Sequence, residues 1–525
     1  MLWIDEAVQK LINENPEKEE FTCAAGISPS GPIHIGNFRE FLTSYFVHIG
    51  LKMAGKKSRF IMSFDNFDRL RKVPFAVKQV VGDSYDKYIG TPYADIPDPY
   101  GCHSSYAEHF EEQFKDAVRQ FGIDCEFITQ AQEYRKGRYD EGIIKALKER
   151  KTIYDILYEY KSQEATEEGR ESYVPIAVYC EKCGKDSTVV TNVSDDCETI
   201  TYECKCGHHD TVKVRNYHNI KLVWKVDWPM RWNEEKVTFE PGGKDHGTEG
   251  SSYTVGKIIV DKVYGYTAPD FVMYEFIGIK GGGGKMSSSS GASITPAELL
   301  KVCPPEMIVW LYSKVPARQS WQFCFDDEIL RQYHEFDRSL SASYTENCPQ
   351  NIKEIMRYVR YGKEDLKPST VSAQLLFSLG SIVNFEPNLL YSLYKKVNPD
   401  VDKEDLLSRL VRIEYWAKTY SPESISTLLS NKNTEYFASL PEREQQDIRT
   451  LFTKLSNEDI ALEDLQQLLY DIPKQEGLKD KENQPFQKKF FQNVYMLLIG
   501  KESGPRLYLF LGALNKDMYL NLLNF

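Results

Sequence analysis

Apolar runs and helical repeats alternate near the start of the chain. The apolar run at residues 21–27 predicts a buried strand, residues 37–49 carry apolar side chains at helical spacing, and 59–64 predicts a second strand. A strand, a helix and a strand at this spacing form a parallel βαβ unit. Because ligands of such sheets bind beyond the carboxyl ends of the strands, we expect the loop around His34 and the carboxylate of Asp65 to lie at a binding site.

Two changes of pattern divide the rest of the chain. Between about residues 95 and 232, cysteine, histidine and charged residues become dense, and 104–121 places large apolar residues on one helical face. We interpret this stretch as an insertion between two halves of the sheet domain. Beyond about Pro349 the strand pattern disappears and helical periodicity continues, which predicts a separate all-helical domain.

Composition narrows the class of protein. The chain has 525 residues, enough for roughly two to four domains, and 41% hydrophobic with 27% charged residues is ordinary for a globular protein. It shows no signal peptide and no apolar run near the roughly 20 residues that a bilayer requires, so we expect a cytoplasmic protein without membrane association. Eleven cysteines then favour thiols and metal sites over disulfides. A net charge of −12 does not favour nucleic-acid binding by bulk electrostatics, although a local basic surface can serve an acidic protein.

The loop after the first predicted strand suits a nucleotide. It reads Pro29-Ser30-Gly31-Pro32-Ile33-His34-Ile35-Gly36-Asn37. Gly36 has no side chain, so a purine ring could lie against its backbone, and the following helix N-terminus offers N–H groups and partial positive charge to a phosphate. His34 could donate to a phosphate as charge develops. On its own, an ordinary loop with a chance histidine explains this segment equally well.

A second segment favours the nucleotide interpretation. Lys285 lies 285 − 34 = 251 residues after His34, behind four glycines, and Met286, Ser287 and Ser288 follow it. A glycine-rich loop that delivers a lysine and several hydroxyls is suited to closing over a pyrophosphate leaving group. Gly/Ser tracts are usually flexible linkers, but a Lys-Met pair is not typical of linker composition.

Together, these segments resemble the HIGH and KMSKS motifs of class I aminoacyl-tRNA synthetases in residues, order and separation. Asn37 replaces the final histidine, a variant that recurs in the family, and Ser288 replaces the second lysine. Lys285 is then the only motif lysine, which puts in doubt a two-lysine account of the leaving group. Asp245 and His246 stand in a segment that resembles the Gly-x-Asp-His element of related synthetases, although alone it would be interpreted as a turn.

The whole chain is similar in plan to the class I lysyl-tRNA synthetases, with further local matches at 67–74 and 498–506. The resemblance implies an α/β fold with a Rossmann-like parallel-sheet catalytic domain and an all-α C-terminal domain. The expected boundaries are 1–94 and 233–300 for the catalytic domain, 95–232 for a zinc-binding insertion, 301–348 for a junction and 349–525 for a helical anticodon-binding domain. It implies ATP, Mg²⁺, L-lysine and tRNA(Lys) as cofactors and partners, with lysyl-adenylate as intermediate and bound tRNA needed for activation.

Residue by residue, the resemblance implies the following roles. The catalytic groups are His34, Asn37 and Lys285. ATP would contact Pro29, Gly31, His34, Gly36, Asn37, Asp245, His246, Lys285, Met286, Ser287 and Ser288. Lysine would contact Gly26, Ser28, Trp224, His246 and Tyr274. Asp65 and Glu275 are additional candidates for a carboxylate that meets the lysine ammonium, and core packing is the alternative role of Trp224 and Tyr274.

Two sets of residues have metal-ligand spacing. Cys180 and Cys183 form one knuckle and Cys204 and Cys206 a second, 204 − 183 = 21 positions apart, and four such thiolates can close a tetrahedral zinc site. Because the second knuckle is CxC, His208 or His209 could replace one sulfur. The looser set is Asp98, Cys102, His103 and His109. The resemblance implies that it is a second zinc site, since two zincs are reported for the family.

Three alternatives remain. A glutamyl-type synthetase has a similar core, but it usually places an arginine four residues before the Ser-Pro-x-Gly segment, where this chain has Ala24. A nucleotidyltransferase also uses an HxGH loop, but its usual compact size does not fit the long helical tail. A catalytically silent zinc-containing RNA-binding protein would not require the His34 and Lys285 motifs.

Overall fold

The computed structural model describes residues 2–160, 165–280 and 294–525. The chain forms two compact units, one of Met1–Phe323 with Ala342–Leu366 and one of Cys324–Ser341 with Lys367–Phe525. Among the described residues, no helix is long and apolar enough to span a bilayer.

A parallel sheet forms the centre of the first unit. Helix α1 (Trp3–Glu14) precedes strand β1 (Glu20–Ile27), and helix α2 (Ile35–Met53) connects β1 to strand β2 (Lys57–Phe64). The two strands pair in parallel with Gly26 opposite Ser63, and β3 (Glu126–Thr129) adds in parallel to β2. The predicted strand, helix and strand are confirmed. The sheet also continues through β3 into the range 95–232.

Short helices and two small antiparallel sheets make up most of residues 75–222. Strands β4 (Ile176–Val178) and β8 (Ile220–Leu222) pair, and β6 (Thr199–Cys204) lies between β5 (Thr188–Val193) and β7 (His209–Lys213). The helices are α3 (Phe75–Val81), α4 (Tyr106–Phe121), α5 (Gln130–Arg135), α6 (Asp140–Lys148), α7 (Arg150–Tyr158) and α8 (Glu167–Ser172), with 3-10 turns at Gly82–Tyr88 and Tyr93–Asp95.

The second half of the parallel sheet comes from residues more than 200 positions after β1. Phe239 forms a parallel bridge to Cys23 of β1 and another to Asp270. Beyond these bridges, the short strands β9 (Gly242–Gly243) and β10 (Met273–Tyr274) also pair in parallel. This arrangement places segments from both halves beside β1, as expected for a Rossmann-like sheet interrupted by an insertion.

The remaining elements of the first unit follow in order. They are α9 (Trp224–Glu235), α10 (Lys244–Gly247), α11 (Ser252–Ile259) with a π-turn at Val260–Tyr264, the parallel strands β11 (Ile277–Ile279) and β12 (Trp321–Phe323), α12 (Pro296–Leu300) and α13 (Pro305–Lys314). Helix α12 begins directly after Thr295, whose hydroxyl accepts a hydrogen bond from Glu298 N at 3.2 Å, and Pro296 is the first helical residue.

The second unit is helical throughout its described residues. It begins with α14 (Glu328–Ala342), and α15 (Gln350–Val359) belongs to the first unit. The other helices are α16 (Ala373–Ile382), α17 (Pro387–Val397), α18 (Lys403–Tyr420), a 3-10 turn at Pro422–Ser424, α19 (Thr434–Ser439), α20 (Glu442–Asn457), α21 (Leu462–Asp471), α22 (Asp480–Ile499), α23 (Leu507–Ala513) and α24 (Lys516–Leu523). The predicted α-helical C-terminal region is therefore confirmed.

Candidate active site and metal centres

A cavity of about 680 Å³ opens at the carboxyl ends of β1 and β2. This volume suits a small-molecule ligand. Its walls include nearly all the described residues expected around ATP and lysine, namely Gly26, Ser28, Gly31, His34, Gly36, Asn37, Trp224, Asp245, His246 and Tyr274. Pro29 is buried and does not line the cavity. Lys285, Met286, Ser287 and Ser288 lie outside the described residues.

His34 and Asn37 hold the start of α2 in a reciprocal capping arrangement. The His34 imidazole Nδ1 accepts a hydrogen bond from Asn37 N at 3.3 Å, and Asn37 Oδ1 accepts one from His34 N at 3.4 Å. A histidine at position 37 would have to replace an amide that here satisfies an N–H group at the helix start. Asn37 therefore has a local structural reason for its place in the motif.

Gly36 allows the His34 ring to turn back over the helix start. A Cβ atom at position 36 would lie 2.9 Å from both Cε1 and Nδ1 of His34. Any larger residue would displace the imidazole from this position. Two things therefore explain why position 36 is a glycine. The His34 ring lies close to its backbone, and a purine would need the same open space.

Glu40 provides a carboxylate in the cavity that the sequence analysis did not identify. It accepts hydrogen bonds from Gly26 N at 3.0 Å and from the Tyr274 hydroxyl at 2.7 Å. Burial raises the pKa of Glu40 to about 8, and the nearby carboxylates of Glu240 and Asp65 add to this increase. Tyr274 is 6% exposed, and burial followed by the Glu40 charge raises its own pKa well above the ordinary value.

Two ion pairs form part of the cavity wall. The Arg231 guanidinium donates to Asp65 at 2.8 Å, and Lys221 pairs with Asp68, which also accepts from Ser28 Oγ at 3.3 Å. Although burial opposes ionisation, the charge of Lys221 lowers the pKa of Asp68 below its ordinary value. The carboxylate of Asp65 is thus already paired with a cation, unlike that of Glu40.

An aromatic surface borders the same space. Trp224 and Trp228, one helical turn apart on α9, stack with ring centroids 5.1 Å apart, and the Arg231 guanidinium lies 5.5 Å from the Trp224 ring centre. His246 lies 6.3 Å from Trp224 between ring centroids. Glu275 pairs with Lys244 at 3.0 Å and does not line the cavity.

The four knuckle cysteines meet at one point. Cys180 Sγ lies 3.7 Å from Cys206 Sγ, Cys183 Sγ lies 3.6 Å from Cys204 Sγ, and all four sulfurs are within 4.8 Å of one another. Sulfurs bound tetrahedrally to zinc at about 2.3 Å lie about 3.8 Å apart, so this set fits the metal. His208 instead clusters with Glu181 and Asp210.

The second expected set also comes together. Cys102 Sγ lies 3.1 Å from His103 Nδ1 and 3.3 Å from His109 Nδ1, and Asp98 Oδ1 lies 3.3 Å from His109 Nδ1. Although burial opposes ionisation, hydrogen bonds from the backbone of Tyr100, His103 and Cys102 lower the pKa of Asp98 to about 2. One carboxylate, one thiol and two imidazoles converge, which is a donor set that zinc accepts.

The first knuckle is attached to the cavity wall. Asp186, three residues after Cys183, pairs with Arg69 at 2.5 Å, and its N–H donates to Gly90 O at 3.0 Å. Arg69 and Asp186 both line the cavity. The segment that follows the first knuckle therefore forms part of one edge of the candidate active site.

Comparisons with known proteins agree with this geometry. A family model described as tRNA synthetases class I (K) matches residues 1–362. Lysine–tRNA ligase of Pyrococcus horikoshii is 34% identical over 533 aligned residues, covering 99% of this chain and 98% of the relative. Lysine–tRNA ligase of Streptomyces coelicolor is 35% identical over 571 aligned residues, with 99% and 98% covered.

Among solved structures, a glutamate tRNA ligase from Elizabethkingia meningosepticum covers 97% of this chain and 99% of its own, at 13% identity and a TM-score of 0.43. A likeness this distant carries no argument about the substrate. The matching family model and the relatives of nearly full length show the family directly. The chain belongs to the class I aminoacyl-tRNA synthetases of the lysine type.

Proposed function

We propose that this chain attaches L-lysine to tRNA(Lys), using ATP and passing through lysyl-adenylate. The observation that carries the proposal is the charge of the cavity. Asp65 and Asp68 are paired with Arg231 and Lys221, whereas Glu40 and Glu240 form no ion pair with a cationic side chain of the described residues. A cavity with two such carboxylates complements an amino acid with a cationic side chain and repels glutamate.

The lysine end of the cavity would lie between α2 and α9. The ε-ammonium would meet the Glu40 carboxylate and the Tyr274 hydroxyl, and Trp224 and His246 would cover the apolar part of the lysine side chain. Gly26 and Ser28 would hold the α-amino group, which all amino acids share. Under this proposal Glu40, rather than Asp65 or Glu275, is the carboxylate that recognises the ammonium.

The nucleotide end would lie at the start of α2. The purine would rest near Gly36, and the phosphates would face the α2 N-terminus, where His34 is held by Asn37. The lysine carboxylate oxygen attacks the α-phosphorus, the bond to pyrophosphate breaks, and the adenylate forms. The 3′-terminal ribose hydroxyl of the tRNA then attacks the lysyl carbonyl and AMP leaves. Mg²⁺ bound with ATP would supply positive charge to the phosphates, and Lys285 would assist at the leaving group.

Charging assays with two purified tRNAs test this function. We expect the protein to charge lysine tRNA with lysine, with a kcat/KM at least about 100-fold above that for glutamate on either tRNA, because a missing or repelled charge is discriminated strongly in a buried site. The assay measures acid-precipitable aminoacyl-tRNA. Efficient glutamylation of glutamate tRNA with lysine ignored would overturn the lysine assignment and leave the synthetase assignment intact.

We propose that two clusters bind structural zinc. They are the four cysteines Cys180, Cys183, Cys204 and Cys206, and the set of Asp98, Cys102, His103 and His109. We expect about two zinc ions per chain, and about one in Cys204→Ser, with a lower unfolding temperature, because metal affinity stabilises such knuckles directly. Elemental analysis and thermal unfolding measure these changes. Cys348→Ser is the matched control, since Cys348 lies in neither cluster. A zinc content that Cys204→Ser leaves unchanged would refute the Cys180–Cys206 site.

A further inference from the structure

Glu240 is a buried carboxylate in the cavity wall to which the proposed lysine contacts assign no separate role. It follows the bridge residue Phe239, is 6% exposed, and lines the cavity. Its Oε2 accepts a hydrogen bond from Trp232 Nε1 at 2.6 Å, and the Trp228 side chain also donates to this carboxylate. Neutral indole donors orient the carboxylate but supply no positive charge to pair with it.

Glu240 and Glu40 both lie near Gly26. Glu40 Oε1 accepts from Gly26 N at 3.0 Å, and Glu240 Oε1 lies 4.0 Å from the position that a Cβ atom at residue 26 would occupy. Both carboxylates therefore lie beside the backbone of Gly26, and both line the cavity. The charge of Glu240 acts on Glu40, and two carboxylates that interact in a buried site favour a cation near them.

The other charged groups around Glu240 do not remove this surplus. Arg231 of α9 is the cation whose charge acts on Glu240, but its guanidinium is bonded to Asp65 at 2.8 Å and lies 3.3 Å from Asp227 Oδ2. The charges of Asp65, which follows β2, and of Glu40 on α2 oppose ionisation of Glu240. Burial is the largest effect and raises the pKa of Glu240 to about 7.

We propose that Glu240 is a second specificity-determining carboxylate, which acts together with Glu40 to select an amino acid with a cationic side chain. This inference rests on the proposed function and adds to it a residue outside the recognised motifs. The hydrogen bonds from Trp228 and Trp232 fix the carboxylate against the aromatic wall. Its charge, and not only its position, then contributes to the preference for lysine over an uncharged amino acid of the same shape.

The test compares three variants of the full chain. Glu240→Gln removes the charge, Glu240→Asp keeps it, and Trp232→Phe removes one indole donor while keeping an aromatic ring. For each, the KM of lysine is measured in tRNA charging, together with the inhibition constant of L-2-aminoheptanoic acid, in which a methyl group replaces the ammonium. The inhibition constant of the analogue divided by the KM of lysine measures discrimination in favour of the cation.

We expect Glu240→Gln to lower this ratio at least tenfold with the KM of ATP unchanged within twofold. Glu240→Asp should retain the ratio within about threefold, and Trp232→Phe within twofold. If Glu240→Gln and Trp232→Phe change the ratio equally, Glu240 only positions the tryptophans and the proposal is wrong. If Glu240→Gln does not fold, Glu240→Ala is measured instead, and failure of both to fold would assign Glu240 a structural role and overturn the proposal. Lysine charging by the wild-type protein tests the proposed function separately.

Discussion

Glu40→Gln is expected to raise the lysine KM more than any other single change in the amino-acid side of the cavity. The amide keeps the shape of the carboxylate but leaves the lysine ammonium without its charged partner. Loss of one member of a buried, hydrogen-bonded charge pair costs roughly 2–5 kcal/mol, which corresponds to about a 30- to 5,000-fold loss of lysine kcat/KM. Steady-state charging at varied lysine measures this, and the KM of ATP should stay within about twofold.

Tyr274→Phe is the comparison variant for Glu40→Gln. It removes the hydroxyl that donates to Glu40 at 2.7 Å and that would also meet the ammonium, but it leaves the Glu40 charge in place, so the expected loss is only about 1 kcal/mol, or roughly fivefold. If Glu40→Gln has no larger effect than Tyr274→Phe, Glu40 does not bind the ammonium. A role limited to supporting the Gly26 backbone would also show as a lower unfolding temperature with an unchanged lysine KM.

The pH profile provides a second measurement of the same prediction. Burial, together with the charges of Glu240 and Asp65, raises the pKa of Glu40 to about 8. Below pH 8 the Glu40 carboxyl is therefore mostly protonated, and it must lose its proton before it can pair with the ammonium. The lysine KM should therefore fall as pH rises from 6 to 8, by up to about tenfold per unit, and level off above. In Glu40→Gln the profile should become flatter, while the ATP KM should not follow this curve in either protein.

His34→Asn is expected to lower kcat about 100- to 1,000-fold, the usual loss when one preorganised donor to transition-state charge is removed. Asparagine can still cap α2 by accepting from Asn37 N, as the His34 imidazole does at 3.3 Å, so the helix start should survive. Single-turnover formation of lysyl-tRNA measures the loss, and lysine binding should be almost unchanged.

Two further measurements accompany the kcat of His34→Asn, namely its unfolding temperature and the turnover of Lys285→Ala. His34→Asn should unfold within a few degrees of wild type, because one cap is exchanged for another. Lys285→Ala should lose turnover to a similar extent, as the KMSKS-like segment predicts. If His34→Asn retains at least half of the wild-type turnover, His34 has a capping role and no part in the chemistry.

The first strand, helix and strand could be predicted from sequence because each has a complete periodic pattern. The apolar run before His34 is long enough to identify β1, and the helical repeat after Gly36 identifies α2. The second half of the sheet has no such pattern. Phe239 and Asp270 are joined to it by single bridges, which are too short for any period to appear.

Glu40 shows why the site was only partly predictable. Within α2 it looks like one polar residue on a helix surface, yet it lies four positions after Gly36 and three after Asn37. That spacing places it on the same helical face as the motif, and this was a usable signal. The sequence signal for Glu240 was weaker, because Glu240 lies 240 − 26 = 214 positions after Gly26. Only the folded chain brings its carboxylate to 4.0 Å from the position that a Cβ atom of residue 26 would occupy.

The bridge between Cys23 and Phe239 has a consequence for synthesis on the ribosome. One edge of β1 acquires its partner only after 239 − 23 = 216 further residues have been made. At about 5–20 residues per second, that edge waits roughly 10–45 seconds. An unpaired apolar strand edge is prone to pairing with other chains, so newly made protein should depend on chaperones during this interval, and slowed translation of residues 24–238 should increase aggregation.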